Sequence, residues 1–205
     1  MSEENAIHEH LVKFCPIIDQ LLATINAAHE AFTHQHSRFL LELKNHDETL
    51  WEIASALQKM RKLATESPEE GGKVYLKLHS ILAHLKTVSE TIGRLGEALR
   101  EQIRGGAPLS DEVVDQINRL FAQQEAILRS LAEAFRNGHS VRERAIEECQ
   151  NLIRSCLQFA DEHELRMAEG RCLPQNAPLV IGILEWMETM FSHELEVAKL
   201  LYDML

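Results

Sequence analysis

Aromatic residues make up only 5% of this 205-residue chain, and it carries just nine glycines and five prolines. With Leu, Ala and Glu abundant, that composition tilts toward helix and away from sheet, and no segment reads as a strand. Cations are outnumbered, with 21 Lys and Arg against 32 Asp and Glu for a net charge of −11. Most of the surface should therefore repel a polyanion, and no basic stripe with interleaved aromatics offsets this, which excludes nucleic acid as the expected partner. Long apolar runs are missing too. The longest, around Ala177 to Met187, is interrupted by Glu185 and falls short of the roughly 20 residues a membrane span needs, so any membrane association is peripheral at most. The opening Met1-Ser2-Glu3-Glu4-Asn5 is acidic where an export signal would be basic, so a cytoplasmic location is expected. The four cysteines, Cys15, Cys149, Cys156 and Cys172, form no Cys-x-x-Cys pair and read as buried free thiols. Nucleophile elbows, phosphate loops and dinucleotide fingerprints are absent, which points away from an enzyme.

Hydrophobic residues amount to 45%, enough for a core, and they recur at helical spacing, as in Ile18, Leu22, Ile25, Ala28 and Phe32. The first helix is expected to run to about Thr33, either starting or kinking at Pro16. His34 to Ser37 reads as a turn, with Ser37 capping a second helix that carries Leu40, Leu41, Leu50, Ile53, Leu57 and Met60 and stops near Glu66. Ser67 to Gly72 reads as a loop before a third helix bearing Leu78, Leu82, Leu85, Ile92, Leu95 and Leu99. Gly105-Gly106-Ala107-Pro108 should end it, and Ser110-Asp111-Glu112 supplies a cap and acidic first turn for a fourth helix reaching about Arg136.

Comparison of the chain with itself across that boundary shows a repeat. Glu30-Ala31-Phe32 followed by His36-Ser37 recurs as Glu133-Ala134-Phe135 followed by His139-Ser140, an offset of 103. Ile25 falls likewise on Leu128 and Leu50 on Ile153. In the last helix of each half the offset is 98, aligning Leu82, Leu85, Glu90, Ile92 and Ile103 with Val180, Ile183, Glu188, Met190 and Leu201. The expected architecture is all-α, two tandem antiparallel three-helix bundles with six helices. Residues 1–104 form the first unit, 105–109 a linker and 110–205 the second.

Eleven histidines and many carboxylates on such helices raise the question of a metal site. Glu-x-x-His and paired histidines four apart do not occur. Glu4 and His8, Glu30 and His34, Glu42 and His46, and His139 and Glu143 are spaced by four, as ordinary surface pairs also are. His8 and His10 open the first helix much as in hemerythrin-type bundles, but two residues apart they face different directions.

Over almost its full length the chain resembles the PhoU-like family. The resemblance lies in the segments ending the first helix of each unit, Ala27-Ala28-His29-Glu30-Ala31-Phe32 and Leu131-Ala132-Glu133-Ala134-Phe135, and in Glu90-Thr91-Ile92-Gly93 and Glu188-Thr189-Met190-Phe191. Glu162-His163-Glu164-Leu165-Arg166 with Glu169-Gly170-Arg171-Cys172 is similar to the PhoU domain of sodium/phosphate cotransporters. The resemblance implies two pseudo-repeated three-helix bundles and carboxylates four apart holding an iron or zinc cluster. Here Arg94 and Ser192 stand four residues after Glu90 and Glu188, and a cation at the first position opposes a metal. Glu90, Glu188, His193 and Glu196 are the metal candidates it leaves. It further implies a non-catalytic regulator of phosphate transport or signalling, docking on a transporter or sensor-kinase component. Trp186, Met187, Met190 and Phe191 exceed one helix stripe, leaving core packing, homodimerisation and docking as their uses. The alternative is a metal-binding bundle for storage or sensing, using His8, His10, His46 and helix carboxylates.

Overall fold

A computed structural model describes residues 3–66, 70–106, 108–138 and 143–204. Among them are seven α-helices and no strand: α1 (Glu3–Val12), α2 (Cys15–His34), α3 (His46–Glu66), α4 (Glu70–Gly105), α5 (Asp111–Asn137), α6 (Glu143–Ala168) and α7 (Ala177–Tyr202). Ser37–Asn45 and Pro174–Asn176 form 3₁₀ segments.

The seventh helix arises because the expected first helix is two. It breaks at Lys13 and Phe14, and α2 restarts with Pro16 in its first turn, where the missing N–H would have no intrahelical partner. The expected second helix also divides. From Ser37 to Asn45 the backbone winds as a 3₁₀ helix, sending Leu40 into the core while Leu41 stays 57% exposed. Gly71 and Gly72 lie inside the start of α4 and not in a loop before it. Ser67 to Glu69, Ala107 and the turn residues His139 and Ser140 lie outside the described residues.

The apolar stripes assemble one continuous core. On α4, Leu78, Leu82, Leu85, Ile92, Leu95 and Leu99 are all 0% exposed, a three-and-four spacing that keeps one face inward along the helix. Residues from both halves belong to the same cluster. Helix α3 packs on α4 and α6 packs on α7, while α2 faces α5 and α4 faces α7. Both cross-half pairs are antiparallel. Along α2 and α5, Asp19 meets Arg136, His29 Nδ1 lies 2.9 Å from Glu125, and Thr33 donates to Asn118 at 3.1 Å. Along α4 and α7, His84 meets His193 and Lys77 donates to the Asp203 carbonyl at 3.4 Å. Of the described residues, no helix is long and apolar enough to cross a membrane.

Candidate functional site: the polar seam of the last helix

Helix α7 is rich in apolar residues, yet it carries Glu188, His193, Glu194 and Glu196 within nine positions. Successive residues on a helix turn by about 100°, so His193 and Glu194 must face different neighbours, while Glu196, three residues after His193, shares its side. His193 points to α4, where its Nδ1 lies 2.8 Å from Nδ1 of His84, with ring centroids 5.0 Å apart. A hydrogen bond between two such nitrogens requires one ring to donate and the other to accept, so at least one is neutral. Burial holds both imidazoles below the ordinary histidine value; the neighbouring ring further lowers His193, and Glu196 opposes the shift in both.

One position on, Glu194 is fully buried between α5 and α6. Its Oε1 accepts from Nε2 of Gln124, which is also fully buried. Burial pushes the Glu194 carboxyl well above the usual range, and the hydrogen bond from Gln124 only partly opposes this. Gln124 Oε1 and Glu194 Oε2 lack partners. Cys149 stands nearby, its thiol pushed up to about 12 by burial and then by the Glu194 carboxyl. Cys156 is likewise pushed up to about 12 by burial and by Glu188. Both thiols are therefore inert as nucleophiles at neutral pH.

Of the four metal candidates, the structure brings together only His193 and Glu196. Glu90 forms a half-exposed pair with Lys86 at 2.6 Å, Glu188 faces Cys156, and Glu196 accepts from Lys199 at 2.7 Å. Among the described residues no three His, Cys, Asp or Glu side chains are grouped to hold a metal ion. His84 joins the seam although no sequence spacing pointed to it, because its partner lies 109 residues away on another helix. His8 donates through Nε2 to the Arg136 carbonyl at 2.8 Å, and His10 meets Tyr75 edge-on, so the two diverge. Glu30 and His34 form an exposed pair at 3.1 Å. The side chains of Glu4, Glu42 and His46, and His139, lie outside the described residues.

Met187, Met190 and Phe191 are 0% exposed, their apolar surface used within the core. Trp186 alone of the four expected docking residues is half-buried, its ring against Gly182. No protein-family model and no curated protein sequence matches this chain.

Proposed function

We propose that the chain is a duplicated three-helix protein acting without catalysis, a regulator of phosphate transport or signalling that docks on a transporter or sensor-kinase component, as PhoU-like proteins do. The observation that carries this reading is the reciprocity of the helix contacts. The pairing of α3 with α4 is matched by α6 with α7, and that of α2 with α4 by α5 with α7. The helices aligned by the sequence offsets, α2 with α5 and α4 with α7, pack on each other antiparallel, an arrangement compatible with a twofold perpendicular to them relating duplicated units.

Docking has a surface suited to it on α6. Leu157 and Leu165 are 53% and 58% exposed and lie a little over two turns apart on α6, apolar side chains that a partner helix or groove could cover. Co-precipitation of the untagged chain with purified phosphate-transporter and sensor-kinase components tests the reading. Enrichment above that of an unrelated acidic helical protein, lost on Leu157→Ser with Leu165→Ser, is expected; equal recovery of both proteins sinks it.

A second reading, a metal-binding bundle for iron or zinc, is favoured by one observation, the 2.8 Å approach of the His84 and His193 nitrogens. Elemental analysis of untagged protein decides it. Stoichiometric metal whose chelation lowers stability supports the reading, and metal-free protein of unchanged stability overturns it.

A further inference from the structure

A cavity of about 320 Å³ opens where the α1–α2 junction meets α3, away from the polar seam. Its floor is apolar, made by the buried side chains of Phe14, Ile17 and Met60. Its edge is cationic. Lys13 and Lys59 both line it, and neither forms an ion pair among the described residues, on a chain whose net charge is −11. Other lysines of this protein do find carboxylates, as Lys62 does with Glu66, Lys86 with Glu90 and Lys199 with Glu196. The single lining acid, Glu52, is exposed.

Two further features sharpen the chemistry. His10 lines the cavity with its ring, while its Nδ1 is buried behind the wall without a hydrogen-bond partner. Burial holds this imidazole below its ordinary value, and the field of Lys13 and Lys59 lowers it further. Trp51 stands at the edge 71% exposed, a large flat ring with most of its surface in water. Exposed indole over an apolar floor suits an aromatic ring, which stacks at little entropic cost. Two unpaired ammonium groups suit an anion at its end. The volume is at the small end for ligand pockets and fits one or two rings.

We propose that this cavity binds a small aromatic carboxylate, with its ring between Trp51 and the Phe14, Ile17 and Met60 floor. The carboxylate sits between Lys13 and Lys59. This is a ligand site separate from the proposed docking face, and neither depends on the other.

Calorimetric titration of the full chain with 2-naphthoate tests it, alongside its neutral amide and inorganic phosphate. The expected result is saturable one-to-one binding of naphthoate, weakened about tenfold or more by Lys13→Gln with Lys59→Gln and by removal of the ligand charge in 2-naphthamide. Both lysines are exposed, so the variant keeps the fold. Trp51→Ala should weaken naphthoate comparably. The proposal is overturned if naphthoate fails to saturate at millimolar concentration, if the amide binds as tightly as the acid, if the lysine variant binds unchanged, or if phosphate alone binds as well as naphthoate.

Discussion

Gln35 and Gly138 stop the first long helix of each half in the same left-handed backbone conformation, at φ 50° and φ 62°. They stand at the sequence offset of 103 that aligns Phe32 with Phe135. The equivalence extends to packing, since Ile25 and Leu128, and Phe32 and Phe135, are all at most 1% exposed. The caps differ in what surrounds them. Gln35 donates through its side chain to the Phe32 carbonyl, whereas Gly138 lies under the His8 ring, which closes α1 over the end of α5.

That difference makes Gly138→Ala costly. A Cβ there would stand 2.9 Å from His8 Cδ2, on a backbone that L residues rarely adopt. The conformation alone costs about 1–2 kcal/mol, and displacing His8 removes its bond to Arg136. Urea unfolding should show a loss of at least about 1 kcal/mol. Gly105→Ala, at a helical site with nothing within 4 Å, is the control and should be nearly neutral. Equal stability of both variants would show that the cap is not held as described.

Glu194 makes the protein more stable in mild acid than in alkali. Its carboxyl is raised in the folded state, so above the ordinary carboxylate range the unfolded chain ionises while the native chain stays protonated. Stability therefore falls as pH rises from about 4.5 toward the raised folded value. Glu194→Met alone leaves the buried Gln124 amide unpaired and should cost about 1–3 kcal/mol at pH 5. Adding Gln124→Leu should recover most of that loss and flatten the decline at higher pH. A double variant with the wild-type pH slope would rule out Glu194 as its source.

Much of this arrangement was legible before the structure. The three-and-four apolar spacing located the buried faces of α2 and α4, and Gly105-Gly106 marked the end of α4. Local signals were weaker where tertiary packing overrode them, as at Ser37, expected to cap an α-helix and found opening a 3₁₀ segment. The polar seam was half visible. His193 and Glu196 stood out through their motif neighbours, but His84 and Gln124 are contributed by distant helices, and periodicity ranks a lone His or Gln as surface. Trp186, Met187, Met190 and Phe191 crowd one helix, and sequence alone does not separate a wide buried face from an interface. In the structure α7 is flanked by α4, α5 and α6, and burial on several sides absorbs three of the four.

The His84 and His193 pair should impose a second pH dependence of opposite sign. Burial holds both rings below the ordinary histidine value, so as pH falls below about 6.5 the unfolded chain takes up protons before the native one. Stability is lost on acidification through that range. His10 and His163 are lowered chiefly by burial as well and add to the same slope. His84→Leu with His193→Leu should flatten part of the loss between about pH 6.5 and pH 5 without touching the Glu194 decline at higher pH. Thermal unfolding across this range reads it directly, and an unchanged acid slope would count against the coupling of the two rings to folding.

Thiol accessibility tests the core and the seam together. Cys15, Cys149 and Cys156 are buried, while Cys172 is half-buried, with its Sγ 3.8 Å from the Ser110 hydroxyl. Burial raises all three thiols, Cys149 and Cys156 to about 12, so those two present almost no thiolate at pH 8, and Cys15 is shielded by its burial. Native protein should therefore react with a thiol-specific disulfide reagent at one cysteine promptly and at the remaining three only as the chain unfolds. Denaturant should release all four. Cys172→Ser should abolish the prompt phase and leave the slow one, whose rate then reports opening of the core. Two or more prompt thiols in the native protein would mean that α6 does not hold Cys149 and Cys156 against α7 as described.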